Sequence, residues 1–141
     1  MPARLVLDTN VLVAGLRSRR GASYRILARI ETGSMVPVLS VPLVFEYEAV
    51  LKRQARALHL TPAEIDALLD DLCVLGECQL VYYLWRPALR DAGDEMVLEL
   101  AVAAGCPHIV THNVRDFAGS DRFGVRVYTP QQWLSRTGEN P

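Results

Sequence analysis

The chain has 141 residues, half of them hydrophobic and 22% charged, enough apolar material for one packed core of single-domain size. That balance excludes an intrinsically disordered chain, and no apolar run reaches the length needed to span a bilayer. With 15 basic and 16 acidic residues the net charge is −1, which excludes a globally basic nucleic-acid binder but not a local basic patch. Every basic residue except Lys52 is arginine, a side chain suited to bidentate phosphate contacts, although codon bias explains such usage equally well. Cys73, Cys78 and Cys106 lack metal-ligand spacing and read as reduced thiols in a core. The opening Met1-Pro2-Ala3-Arg4-Leu5-Val6-Leu7-Asp8 has neither the apolar stretch nor the cleavage site of a signal peptide, so a cytoplasmic location is expected.

Taken in chain order, Arg4 to Leu7 is a compact apolar run ending at Asp8, a buried strand. Asn10 to Leu16 begins a short helix, Ser18 to Gly21 breaks it, and Ser23 to Ile30 is a second helix closing at Gly33. Val36 to Leu39 is a short strand that Pro37 marks as irregular or near an edge. Pro42 opens a long helix to about Leu58. Thr61-Pro62-Ala63-Glu64 is a capping box starting another, to about Leu75. Cys78 to Leu84 is β-rich, Asp94 to Ala104 helical, His108 to Thr111 and Val125 to Tyr128 strands, and Pro130 to Leu134 a terminal helical turn or two. Strands alternating with helices predict a three-layer α/β sandwich with a mostly parallel sheet, one domain over residues 1–136 with a loose tail at 137–141. In such a sheet the functional groups gather at the C-terminal ends of the strands.

Several carboxylates stand where ordinary surface charge does not. Asp8 ends the first strand, with Thr9 and Asn10 adding polar groups beside it; a helix N-cap is the plain structural role for an aspartate there. Glu46 lies three residues after Leu43 and four before Val50, on or beside the stripe formed with Tyr47 and Leu51. A carboxylate there either reaches out at the stripe's edge or coordinates something, because burying it alone is costly. Asp94 precedes Val97, Leu98 and Ala101 by helical spacings. Asp91 caps that helix or assists from behind; the macrodipole favours acids at both positions. Thr111, Asn113 and Asp116 follow another strand, where an Asx-type turn is the structural alternative. Together these acids make a hard-oxygen cluster that needs a counter-charge and suits Mg²⁺ or Mn²⁺, with two ions roughly 3.5–4 Å apart the arrangement used in phosphodiester hydrolysis.

Val6-Leu7-Asp8-Thr9-Asn10-Val11-Leu12 resembles the opening of PIN-domain ribonucleases. The segments Arg90 to Ala101 and Ile109-Val110-Thr111-His112-Asn113-Val114-Arg115-Asp116-Phe117 resemble that family's later motifs, in the same order and at about the same length. The nearest branch is the bacterial VapC-like toxins of toxin–antitoxin systems. The resemblance implies a Rossmann-like α/β/α sandwich and a metal-dependent endoribonuclease. Asp8, Glu46 and Asp94 then occupy the first three acidic positions, with Asp116 as the fourth, because Asn113 stands where many members carry aspartate. It implies that Asp8, Asp94 and Asp116 bind Mg²⁺ or Mn²⁺, that Glu46 contributes a ligand or orients water, and that Thr9 and Thr111 support a carboxylate or water. Asn10, Asp91 and Asn113 are further supports. Cleavage would leave a 3′-hydroxyl and a 5′-phosphate. Arg17, Arg19, Arg20 and Arg115 flank these residues and are candidates for RNA phosphate contacts, solvated loop charge being the plainer role for any single one. A homodimer and a cognate antitoxin protein are implied as partners, with Tyr82, Trp85 and Trp133 available to an interface or to the core.

Three other readings stand beside this one. A haloacid-dehalogenase-like phosphohydrolase also begins with a strand ending in aspartate, but it needs Asp-x-Asp and a downstream lysine, where this chain has Asn10 and only Lys52. A receiver-type signalling domain clusters acids but lacks its late lysine here. A PIN domain that binds RNA or protein without cleaving is kept open by Asn113.

Overall fold

Parallel strands buried on both faces are built from continuous apolar runs, and the first strand, β1 (Ala3–Leu7), ends in the fully buried Leu5, Val6 and Leu7. The computed structural model describes residues 2–80 and 92–138. After β1 come α1 (Thr9–Arg17), α2 (Ala22–Glu31), β2 (Met35–Leu39), α3 (Val41–Arg53), α4 (Ala55–Leu58), α5 (Pro62–Leu75) and β3 (Glu77–Cys78). The chain continues through α6 (Ala92–Ala103), β4 (His108–Val110), two 3-10 turns (Val114–Phe117 and Ser120–Phe123), β5 (Arg126–Tyr128) and α7 (Pro130–Arg136). The strands form one five-stranded sheet in the order β3-β2-β1-β4-β5, every neighbouring pair parallel. Helices pack against it in the three-layer α/β/α arrangement expected: α2 lies on α1 and α7, while α6 lies on α3 and against β1 and β4. Among the described residues no helix is long and apolar enough to cross a membrane.

The strand order reverses between β1 and β4, and a crevice opens at the carboxyl ends of the strands at such a switch point. Local chemistry sets the helices that surround it. Ser40 caps α3 by accepting from the Leu43 amide at 3.3 Å, with Pro42 in the first turn. Thr61 and Glu64 form the expected capping box of α5, and these bonds from Thr61 hold the Glu64 carboxyl below its usual range. The same device at Thr129 and Gln132 starts α7 and carries it to Arg136, two residues past the expected end at Leu134. Thr137, the first residue of the expected tail, donates its hydroxyl to the carbonyls of Trp133 and Leu134.

The structure corrects four expectations and decides one left open. The long helix from Pro42 does not continue to Leu58: α3 ends at Arg53, Gln54 turns with ψ at 11°, and α4 follows. No glycine or proline marks that break. Pro37 lies in an interior strand, opposite Leu5 and one residue before pairing with β3 begins at Val38. In the β-rich segment Cys78 to Leu84 the described residues carry strand only at Cys78, the end of β3, with Gln79 and Leu80 outside it; residues 81–84 lie outside those described. Cys106 is buried, but Cys73 and Cys78 are exposed. Trp133 belongs to the core at 1% exposure, its ring against His108 and Tyr128, so it offers nothing to an interface; Tyr82 and Trp85 fall outside the described residues. One glycine has a steric cause. A Cβ on Gly76 would sit 2.8 Å from the carbonyl oxygens of both Leu72 and Pro37, so the exit of α5 passes β2 only without a side chain.

Candidate active site

Asp8 stands where β1 gives way to α1, where it caps the helix and also lines a cleft. Its backbone N–H donates to the Val110 carbonyl at 2.9 Å, tying the end of β1 to the end of β4. As the N-cap of α1 its Oδ1 accepts from the Thr9 amide at 2.9 Å. Its Oδ2 accepts from the Thr111 hydroxyl at 2.7 Å and from Asn10 Nδ2 at 3.3 Å. The Thr111 hydroxyl is the hub: fully buried, it also accepts from the Asn113 amide at 3.0 Å and from Asn10 Nδ2 at 3.3 Å. Asn10 Oδ1 in turn accepts from the His112 amide at 3.2 Å. The two strand ends on either side of the switch point are therefore sewn together by Asp8, Asn10 and Thr111.

Tyr47 of α3 supports this point from below. Its buried hydroxyl donates to the Leu7 carbonyl at 2.6 Å, one residue before Asp8. Burial, with the charge of Asp8 adding to it, pushes the phenol far above its usual range, so it remains a donor.

A cleft of about 540 Å³ opens above these bonds. Asp8, Glu46, Asp94 and Asp116 all line it, with Thr9, Asn10, Asn113 and Arg17. Glu46 is half-buried on the face of α3 that also presents Val50 and Gln54. Asp94 is half-buried in the first turn of α6, above the buried Val97, Leu98 and Ala101. Asp116 is exposed on the 3-10 turn after β4. Asn113 precedes that turn but makes no side-chain capping bond, so the Asx-type turn weighed for it does not form. The structure thus brings the four acids chosen from the sequence to one cleft, with Thr111 directly behind them.

Other residues fall differently. Arg19, Arg20 and Arg115 are exposed and off the cleft wall, leaving Arg17 as its one arginine among the described residues. Asp91 lies outside the described residues. Sequence reasoning missed Gln54 and His112. Gln54 is signalled only by its distance of two helical turns from Glu46; His112 lay inside a quoted motif, and its Nε2 stands 3.0 Å from the buried Ser23 hydroxyl.

Carboxylates sharing a cleft repel one another and call for a cation. Among the described residues no three His, Cys, Asp or Glu side chains come together as a closed ligand cage. A closed cage is not what the hard divalent cations require. Mg²⁺ keeps several of its waters and is held through one or two carboxylates plus substrate phosphates. An all-oxygen set with Asp8 already oriented by Thr111 and Asn10 fits that mode, and among the described residues no soft sulfur or imidazole cluster competes with it.

A family model described as PIN domain matches residues 4–115. No curated protein matches the chain.

Proposed function

Because the chain belongs to the PIN-domain family, a family of nucleases, we propose that it is a metal-dependent endoribonuclease working in the acidic cleft at the β1/β4 switch point. The observation that carries this reading is the gathering of Asp8, Glu46, Asp94 and Asp116 on one cleft with Asp8 held by Thr111. Asp8 and Asp94, with Asp116, would hold Mg²⁺ or Mn²⁺. The chemistry such a cation supplies when bound is Lewis-acid withdrawal of charge from the phosphate and acidification of water.

The chain's own groups do the remainder. Thr111 and Asn10 fix the Asp8 carboxylate in one orientation, so no reorganisation is needed when substrate arrives. Glu46 reaches the cleft from α3, opposite the strand ends, and orients the attacking water or accepts its proton. The exposed amide of Asn113 and the hydroxyl of Thr9 offer hydrogen bonds to the sugar-phosphate backbone at the same mouth. With a net charge of −1, affinity for RNA rests on local contacts and falls with salt.

The VapC-like resemblance extends the proposal to a cytoplasmic toxin component that forms a homodimer and is inhibited by a cognate antitoxin. The test of the reaction is incubation of purified protein with mixed single-stranded RNA in EDTA, Mg²⁺ or Mn²⁺, beside an Asp8→Asn/Asp94→Asn double variant. The expected result is metal-dependent cleavage leaving 5′-phosphates, absent from EDTA and from the variant. Equal cleavage by both proteins would expose a contaminant, and RNA binding without cleavage would leave a binding module in place of an enzyme.

A further inference from the structure

Two walls of the cleft are helices whose lining residues run away from its acidic end. Along α1 the lining residues run Thr9, Asn10, Val13, Ala14 and Arg17; along α3 they run Glu46, Val50 and Gln54. Eight residues separate Glu46 from Gln54, about 12 Å of helix axis, and Asp8 to Arg17 covers a similar length. At the far end the two walls are joined by one bond, Arg17 Nη2 donating to Gln54 Oε1 at 2.9 Å. The cleft is therefore polarised, with the carboxylates of Asp8, Glu46, Asp94 and Asp116 toward one end and, among the described residues, one guanidinium at the other.

We propose that Gln54 is a positioning residue that holds Arg17 over the far end of the cleft, where its guanidinium takes a backbone phosphate flanking the scissile one. This rests on the nuclease reading above. A cation at the last turn of α1 is favoured by the helix dipole alone, but the dipole does not direct a long exposed side chain into a cleft. Gln54 does so, and its own place explains how. It stands at the break between α3 and α4, its backbone N–H bonded to the carbonyls of Val50, Leu51 and Lys52, so its side chain leaves from a fixed helix end. One contact occupies one guanidinium N–H and leaves the others to meet a phosphate, which a glutamate at position 54 would instead neutralise. A contact of this kind sets the register of the strand on the protein and carries no base preference.

The test compares wild type with Arg17→Ala, Gln54→Ala and the double variant, using one fluorophore-labelled single-stranded RNA. Kd is followed by anisotropy, KM and kcat by cleavage in Mg²⁺, and folding by thermal melting. Arg17→Ala is expected to raise Kd and KM about fivefold, the upper range for one exposed charge pair, with kcat changed far less. The salt dependence of binding should become shallower by about 0.7 in its logarithmic slope, the loss of one phosphate contact on a single strand. Gln54→Ala should raise Kd about twofold in the wild type and not at all in the Arg17→Ala background. An equal effect of Gln54→Ala in both backgrounds, or a drop in melting temperature without a change in Kd, would overturn the proposal and reduce Gln54 to a helix-end residue. If the wild type binds RNA in this pattern without cutting it, the nuclease reading fails and only the phosphate contact of Arg17 held by Gln54 stands; if it binds no RNA, both fail.

Discussion

Asp8→Asn lowers RNA cleavage at least about a hundredfold, the range for removing one preorganised electrostatic group from an active site, while the protein stays folded. Asparagine keeps the shape of the side chain and is itself a good N-cap, so the start of α1 survives. What it loses is the charge, along with one of the two oxygens that now accept from Thr9 on one side and from Thr111 and Asn10 on the other. An amide nitrogen on the second side is accepted by the Thr111 hydroxyl only in place of Asn10 Nδ2, which cannot itself accept and so loses both its partners there. The stability cost of that one mismatch is about 1 kcal/mol, readable as a modest fall in the melting temperature. Cleavage within about threefold of wild type, in a folded protein, would remove Asp8 from the chemistry and leave it a helix cap.

Thr111→Val carries the next largest effect, and it reads the hub rather than the acid. Valine matches threonine in shape but cannot donate to Asp8 Oδ2 or accept from the Asn113 and Asn10 nitrogens. The bond to a carboxylate is the stronger kind, and its loss in a fully buried position costs about 2 kcal/mol of stability. Activity should fall about 10- to 100-fold, as it does when the partner orienting a metal-ligating group is removed. Thr111→Ser, which returns the hydroxyl and omits only a methyl, should recover most of that activity. A valine variant that melts earlier but cleaves at the wild-type rate would show that Thr111 holds the strands together and does nothing for Asp8.

The acids were legible in the sequence because each sits at a place that local rules mark. Asp8 follows an apolar run, Glu46 interrupts a helical stripe at spacings of three and four, and Asp94 shares the face of Val97 and Leu98. Those patterns also imply that the side chains converge, since strand ends of a parallel sheet share one edge. The capping boxes at Thr61 and Thr129 follow the same logic and set the starts of α5 and α7. Hidden from the sequence were features decided by contacts between distant segments. The break at Gln54 has no breaker residue, and its side chain is satisfied by Arg17, 37 positions away in the chain. Which arginine enters the cleft depends on helix rotation: Arg17 lies on the wall with Val13 and Ala14, whereas Arg19 and Arg20 come after α1 has ended. Capping α1 occupies only one oxygen of Asp8, so the N-cap role does not exclude the catalytic role proposed for it.

The acids of the cleft are proposed to act together on one divalent cation. Titration calorimetry of Mn²⁺ into the wild type and into the Asp8→Asn/Asp94→Asn variant tests it without relying on any RNA. The wild type should bind Mn²⁺, and the variant at least about tenfold more weakly. Binding of equal affinity and heat in both proteins would place the ion outside the cleft and remove the acids from its binding.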